Sequence, residues 1–208
     1  GAEALLRWQH PDRGVLTPPI FLSLAEESGL IGPIGDWVTR TACADMRTWL
    51  DSGSIDASFV MHINVSARQL GDATFVERTM AALRDAKLEP HQVDLEVTEA
   101  TLLDDKGGVM RTLNALRRLG IKLAIDDFGT GFSSLSYLAR LPVDTLKIDR
   151  SFTMNMASGP QGLSLVSTIV NLGHSLRLKV VAEGVETEAQ EKLLRDARCD
   201  FMQGFRPG

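Results

Sequence analysis

The stretch Leu123-Ala124-Ile125-Asp126-Asp127-Phe128-Gly129-Thr130-Gly131 joins an apolar run to two adjacent carboxylates and a glycine-rich turn. Such a pattern predicts a buried strand that ends at a functional site. Asp126 and Asp127 would repel each other, and burial would penalise their charged forms, so a bound cation is the simplest way to keep both ionised. An Asp-Asp pair after a strand can also merely begin a turn or cap the next helix, and the rest of the chain must decide between these interpretations.

Composition places the chain among ordinary soluble globular proteins. It has 208 residues, of which 44% are hydrophobic and 24% charged, and its formal net charge is −5. The negative charge disfavours a protein that binds duplex nucleic acid. No apolar run reaches the roughly 18 to 20 residues that cross a bilayer, and no signal peptide is evident. Because Cys43 and Cys199 lie far apart without metal-ligand spacing, we expect a cytoplasmic location, and flanking segments of a longer protein could still carry a membrane anchor.

Strand-like and helix-like segments alternate along the whole length, without a linker or a low-complexity segment. We predict strands at 3–8, 59–65, 93–99, 123–127, 145–149, 179–183 and 200–203, and helices at 17–28, 33–50, 72–86, 109–119, 133–139, 162–176 and 188–195. This alternation indicates one α/β domain over 1–208 with a parallel sheet. A (β/α)8-type TIM barrel is the leading architecture and a doubly wound open sheet is the alternative, although no G-x-G-x-x-G motif follows the first strand.

Each predicted strand carries a polar residue late in its run, where an apolar residue would suit the core of a sheet better. These residues are Glu3, Asn64, Glu96, Asp126, Lys147, Glu183 and Gln203. In a barrel they would converge on the carboxyl-end face, where such enzymes carry their chemistry. Alternation supports this placement, since Leu146 and Ile148 share one face of their strand while Lys147 and Asp149 share the other.

The predicted cluster consists of oxygen donors, with neither a cysteine cluster nor paired histidines. Carboxylates and an amide select a hard divalent ion, Mg²⁺ or Mn²⁺, over Zn²⁺. Two adjacent aspartates can ligate two ions, the arrangement that activates water for an in-line phosphoryl displacement. Calcium would satisfy the same donors but activate water less, so we expect it to inhibit. Lys147 could orient or deprotonate the attacking water, or neutralise phosphate charge.

A different chemistry is compatible with some of these residues. A barrel enzyme that forms a Mg²⁺-stabilised enolate, with Lys147 as base, would explain the acids and the lysine. It gives no reason for the tandem aspartates or for Arg7.

Seven motifs in order over the whole chain resemble those of the EAL-domain phosphodiesterases of cyclic di-GMP, a bacterial second messenger in signal transduction. The motifs are Glu3-Ala4-Leu5-Leu6-Arg7-Trp8, Asn64-Val65-Ser66, Glu96-Val97-Thr98-Glu99, Asp126-Asp127-Phe128-Gly129-Thr130-Gly131, Leu146-Lys147-Ile148-Asp149-Arg150, Ala182-Glu183-Gly184-Val185-Glu186 and Gln203-Gly204. The resemblance implies metal-dependent hydrolysis of one phosphodiester bond of cyclic di-GMP, which gives linear pGpG.

The resemblance also implies roles for individual residues. The implied ligands of one metal are Glu3, Asn64, Glu96 and Asp126, and those of a second metal or its water are Asp126, Asp127 and Glu183. Lys147 would contact the nucleophilic water, and Glu183 would act as base or as ligand. The implied substrate-binding residues are Leu6, Arg7 and Gln203. Glu186 would support the end of the barrel that carries Gln203. Glu99 would hold the loop that runs from Phe128 and Gly129 to Ser134.

Beyond the site, the resemblance implies a homodimer contact near residues 128–139 and attached sensory or cyclase domains in the full-length protein. The family's first strand, antiparallel to the others, would precede Glu3, so we expect a barrel that is incomplete at its first strand. The family also has a segment after Gln203 that is shortened here before Arg206-Pro207. Many family members are catalytically inactive cyclic di-GMP receptors or interaction domains; such domains usually lack a metal carboxylate or the lysine, and this chain has all of them.

Overall fold

The computed structural model of the chain describes residues 1–103, 108–131, 135–156 and 159–205. The chain divides into two compact units, Gly1–Glu96 with Asp105–Lys122 and Val97–Asp104 with Leu123–Gly208. The single-domain interpretation of residues 1–208 stays a prediction. Within the described part of the chain, no helix combines the length and the apolar character needed to span a membrane.

Short strands and helices alternate along the described chain. In chain order they are β1 (Ala2–Ala4), β2 (Trp8–His10), β3 (Gly14–Leu16), α1 (Pro18–Ser28), α2 (Ile31–Asp51), β4 (Met61–Asn64), α3 (Ala67–Leu70), α4 (Phe75–Asp85), β5 (Val93–Thr98), α5 (Glu99–Leu103), α6 (Val109–Arg118), β6 (Lys122–Phe128), α7 (Leu135–Leu138), β7 (Thr145–Ile148), α8 (Arg150–Met156), α9 (Pro160–Ser175), β8 (Lys179–Ala182), α10 (Glu188–Asp196) and β9 (Phe201–Met202). A 3₁₀ turn precedes β5 at Pro90–Gln92.

The first unit contains parallel strands in the order β1-β4-β5. Helix α2 packs against β4, α3 and α4. The apolar faces of these elements and of α6, which packs against α3 and α4, form the core. The core includes Met46, Met61, Ile63, Leu70, Phe75, Leu83, Val93, Leu95, Leu113 and Leu116. Burial of each leucine- or phenylalanine-sized side chain contributes about 1.5–3 kcal/mol relative to exposure. A separate antiparallel hairpin pairs β2 with β3.

The second unit contains the parallel strands β6-β7-β8-β9, in that order. Helix α9 packs against β7, β8 and α8. Its contact with β8 is close, because a Cβ at Gly173 would lie 2.5 Å from Cγ2 of Val180. Strand β7 is buried on both faces, since Lys147 is as inaccessible as Leu146 and Ile148. Such two-sided burial is typical of a parallel sheet covered by helices.

The predicted strands after residue 8 are confirmed, with boundaries that differ by a few residues. The predicted segment at residues 3–8 instead contains β1 and the start of the β2–β3 hairpin, which the sequence did not predict. The short helices α3, α5 and α8 were also not predicted. Of the helix predicted at residues 133–139, the structure shows α7 at Leu135–Leu138, and residues 132–134 lie outside the described part.

Helix α3 begins immediately after the β4 strand and is fixed by a capping box. The Ser66 hydroxyl accepts from the Gln69 amide at 3.3 Å, and the Gln69 side-chain oxygen accepts from the Ser66 amide at 3.2 Å. Gln69 is buried against Gly35 of α2, where a Cβ would lie 2.0 Å from Nε2 of Gln69. The absence of a side chain at residue 35 therefore makes room for Gln69, whose side chain completes the cap at the start of α3.

We predict that Gly35→Ala lowers the free energy of unfolding by about 1–2 kcal/mol, because the new methyl group displaces Gln69 and breaks the capping box. Gly32→Ala is the matched control on the same helix, since no atom lies within 4 Å of a Cβ there. The control should be neutral or stabilising by up to about 1 kcal/mol, as expected for Gly to Ala in a helix. Urea unfolding measures both, and equal stability of the two variants would contradict this account.

Candidate active site

In the first unit, Glu3, Asn64 and Glu96 lie on neighbouring parallel strands. The side-chain amide of Asn64 donates to Oε1 of Glu3 at 2.8 Å, and Asn64 is the register partner of Glu96. The Glu96 residue is 1% exposed. Because the Asn64 nitrogen is directed at a carboxylate, its carbonyl oxygen is left to face another partner. These three residues therefore offer oxygen ligands, and their predicted sharing of one ion with Asp126 stays a prediction.

Leu6 and Arg7 follow β1 in the same unit. Leu6 is partly buried, whereas Arg7 is exposed and its guanidinium donates to the carbonyl of Leu6 at 2.7 Å. An exposed guanidinium offers several donors to a phosphate. The substrate-binding roles of both residues stay predictions.

In the second unit, the strand that carries Asp126 and Asp127 contains a bulge. Ile125 pairs with Leu146, but the next pair joins Phe128 to Ile148, so three steps on β6 match two steps on β7. Adjacent residues of a regular strand point to opposite faces, and an extra residue breaks that alternation. Asp127 has φ +53°, a left-handed conformation that aspartate tolerates better than most residues. The bulge thereby allows two consecutive carboxylates to serve one site.

Lys147 lies buried between two of the predicted ligands. Its ammonium nitrogen is 3.1 Å from Oδ1 of Asp126 and 2.7 Å from Oε1 of Glu183, and its side chain is 2% exposed. Burial of a lone ammonium would cost several kcal/mol, and contact with two carboxylates offsets that cost. The structure thus brings together the three residues that the sequence assigned to β6, β7 and the end of β8.

The carboxylates of Asp126, Asp127 and Glu183 are suited to hold a divalent cation. Each offers an oxygen, and the three oxygens lie within 4.8 Å of one another. A set of carboxylate oxygens fits the preference of Mg²⁺ or Mn²⁺ for hard ligands. The observed arrangement therefore supports the predicted metal chemistry in this unit.

Asp127 occupies an environment that resists its ionisation. Burial raises the pKa of the Asp127 carboxyl above its ordinary value, and the negative charge of Asp149 raises it further, while Lys147 and Arg150 act in the opposite direction. Asp149 also caps the start of α8 by accepting from the Ser151 amide at 3.0 Å. The sequence placed Asp149 on the same face as Lys147 but did not predict its effect on Asp127.

The turn after Asp127 is held from two sides. Oε2 of Glu99 accepts from the amides of Gly129 at 2.9 Å and Gly131 at 3.4 Å. A Cβ at Gly129, where φ is +98°, would lie 2.7 Å from the ring of Phe152. Residue 129 therefore needs glycine for both its conformation and its close packing. Glu99 contacts this turn, its predicted supporting role stays a prediction, and residues 132–134 of the same loop lie outside the described part.

The carboxyl end of β8 is joined to β9 through backbone bonds. The Gln203 amide donates to the carbonyl of Ala182, and the Val185 amide donates to the carbonyl of Gln203. Glu186 is exposed, and its own amide donates to Oε1 of Gln190 at 2.9 Å in the capping box of α10. The predicted roles of Gln203 near the metals and of Glu186 as support stay predictions.

One polar residue near the predicted ligands was overlooked in the sequence. Nδ1 of His62 lies 3.1 Å from Oε1 of Glu96 and 3.8 Å from Oδ2 of Asp94. The chain has four histidines, and their spacing along the sequence shows no metal-ligand pattern. The period-two alternation of a strand does indicate this position, because residue 62 is two positions before Asn64 and therefore lies on the same face.

Comparison with known proteins identifies the family. The family model of the EAL domain matches residues 1–206. The chain is 49% identical over 208 residues to the bifunctional diguanylate cyclase/cyclic di-GMP phosphodiesterase MucR of Pseudomonas aeruginosa, covering all of this chain and 30% of that protein. It is 43% identical over 203 residues to the cyclic di-GMP phosphodiesterase NbdA of the same organism, covering 98% of this chain and 26% of NbdA.

Solved structures agree with this assignment. A structure of the PaMucR phosphodiesterase in complex with c-di-GMP matches with a TM-score of 0.92 at 49% identity, covering 99% of this chain and 82% of that one. The EAL enzyme Bd1971, solved with cAMP and cyclic di-GMP bound, matches with a TM-score of 0.91 at 37% identity, covering 98% of this chain and 55% of that one. The predicted TIM-barrel type of α/β fold is confirmed by these likenesses. The chain belongs to the EAL domain family.

Proposed function

We propose that this chain hydrolyses one phosphodiester bond of cyclic di-GMP to give linear pGpG, with Mg²⁺ or Mn²⁺ as cofactor. The observation that carries the proposal is the buried contact of Lys147 with Asp126 and Glu183. A receptor needs no buried cation among metal-binding carboxylates, whereas hydrolysis needs groups that hold ions and orient water. Membership of the EAL family and the phosphodiesterase relatives support the same substrate.

Two groups of residues would hold the ions. Asp126, Asp127 and Glu183 would bind one ion. Asp126 would bind the other together with Glu3, Asn64 and Glu96. When bound, two such ions supply a water of lowered pKa and stabilise charge on the phosphate oxygens. We further propose that Ca²⁺ inhibits, because it occupies oxygen sites but prefers longer and more flexible coordination.

The remaining residues would position water and substrate. The Lys147 ammonium, fixed by its two carboxylate contacts, would hold the attacking water and neutralise phosphate charge. Glu183 would accept the water proton or serve as a ligand. The guanidinium of Arg7 would bind a phosphate, with Leu6 and Gln203 completing the substrate contacts. Glu186 would support this end of the sheet through the neighbouring α10 cap.

The context of the chain leads to further proposals. The chain spans about 30% or less of the MucR and NbdA proteins, so attached sensory or cyclase domains belong to the proposed full-length protein. We propose a cytoplasmic location, a homodimer through the region near residues 128–139, and no binding of duplex nucleic acid. Leu135 of α7 is exposed in that region, as a dimer contact requires.

A direct test separates the enzyme from the alternative, a catalytically inactive cyclic di-GMP receptor. The purified chain is incubated with cyclic di-GMP and Mn²⁺, and the products are resolved by chromatography. We expect pGpG to form with Mn²⁺ and not with EDTA. Binding of cyclic di-GMP without any product would select the receptor.

Asp126→Asn should reduce Mn²⁺-dependent turnover by about 100-fold or more, because the change removes a charged ligand and a contact of Lys147. Initial rates of pGpG formation measure the effect. Asp196→Asn is the control, since Asp196 is an exposed aspartate at the end of α10. Turnover of Asp126→Asn at the level of the control would refute the metal assignment.

Glu99→Ala should lower kcat by about 10- to 100-fold, because the amides of Gly129 and Gly131 lose their acceptor and the turn beside Asp127 shifts. Glu99→Gln keeps a side-chain oxygen and should retain most of the activity. Hydrogen exchange of the two glycine amides is the second measurement, and it should be faster in Glu99→Ala. If both variants had the same kcat and exchange rates, the supporting role of Glu99 would be wrong.

A further inference from the structure

A second polar layer lies beside the predicted metal ligands of the first unit. On β4, His62 and Asn64 share one face, and on β5, Asp94 and Glu96 share one face, because they are two residues apart. The register pairs Asn64 with Glu96 and His62 with Asp94. The interior of a barrel is normally filled by bulky branched side chains, so a histidine beside two acids is unusual there.

The imidazole of His62 turns one edge toward the two carboxylates. Its Nδ1 lies 3.1 Å from Oε1 of Glu96 and 3.8 Å from Oδ2 of Asp94, whose side chains are 1% and 4% exposed. The opposite edge faces Gly1, the residue before β1, where a Cβ would lie 3.1 Å from Nε2. The ring is thus placed between Gly1 and the acids of β5, with Nδ1 on the side of Glu96.

The contact is electrostatic rather than a well-aligned hydrogen bond, since Nδ1 lies at hydrogen-bond distance but outside hydrogen-bond angles. Hydrogen bonds in active sites are often poorly aligned in the unliganded protein and become shorter and better aligned when the ligand is bound. Imidazole can present an Nδ1–H donor in both its neutral and its charged form. It therefore offers a donor to Oε1 of Glu96.

We propose that His62 is a positioning residue for metal binding, which orients the carboxylate of Glu96 through its Nδ1–H. The proposal rests on the proposed function, because it requires that Glu96 is a metal ligand. Residues that orient a ligand from the side opposite the ion typically contribute 10- to 100-fold to metal affinity. His62 belongs to neither the predicted ligands nor the substrate-binding residues.

Calorimetric titration of the purified chain with Mn²⁺ alone tests this role, and three variants separate the chemistry from the packing. His62→Leu keeps bulk without a donor and should weaken Mn²⁺ binding by about 10- to 100-fold. His62→Asn places an amide nitrogen near the position of Nδ1, so it should bind within about threefold of the wild type. His62→Gln places its amide nearer to Nε2 and should resemble His62→Leu.

His174→Leu is the matched control, because Nε2 of His174 contacts Oδ2 of Asp200 at 2.9 Å in the second unit, apart from the predicted ligands. Its Mn²⁺ affinity should equal that of the wild type. Wild-type affinity in His62→Leu, or equal loss in His62→Asn and His62→Gln, would overturn the proposal. If His62→Leu does not fold, the Asn and Gln variants decide. Failure of the wild type itself to bind Mn²⁺ would instead refute the proposed function.

Discussion

The structure of the second unit depends on stabilising the buried positive charge of Lys147. An ammonium that is 2% exposed requires partners, and Asp126 and Glu183 provide them from the two neighbouring strands. The same contacts reduce the repulsion between carboxylates that must lie close enough to bind an ion. Stability and chemistry are therefore coupled at this position, since removal of Lys147 would leave the two carboxylates with uncompensated negative charge.

A local irregularity of the backbone makes this arrangement possible. The bulge between Ile125 and Phe128 breaks the alternation of β6, and the left-handed conformation of Asp127 turns the chain into the Gly129 turn. Glu99 and the ring of Phe152 then fix that turn from two sides. The tandem aspartates can both place an oxygen near Glu183 because the strand is irregular where they occur.

Sequence patterns were sufficient to predict the strands and most of the polar residues at their ends. Apolar runs that end in an acid or a lysine mark buried parallel strands, and period-two alternation separated Lys147 from Leu146 and Ile148. The bulge could not be predicted, because Asp126-Asp127 is compatible with a regular strand, a turn or a cap. The hairpin of β2 and β3 was missed because each strand has three residues, too few to show an alternating pattern.

The proposed role of His62 shows a different limit of sequence reasoning. Composition alone treats an isolated histidine as a core or surface residue, and only the register of β4 and β5 shows which acids it faces. The contact with Glu96 extends the polar face one layer beyond the residues that mark the strand ends. Pairing across strands, rather than spacing within one motif, carries this information.

The central claim is that the bulged strand, with Glu183 and Lys147, forms a site for divalent cations. Its most direct test is a crystal structure of the chain with Mn²⁺, in which anomalous scattering locates the ions. We expect Mn²⁺ with Asp126 and Asp127 both as direct ligands. Saturating Mn²⁺ without a peak at these two carboxylates would contradict the account.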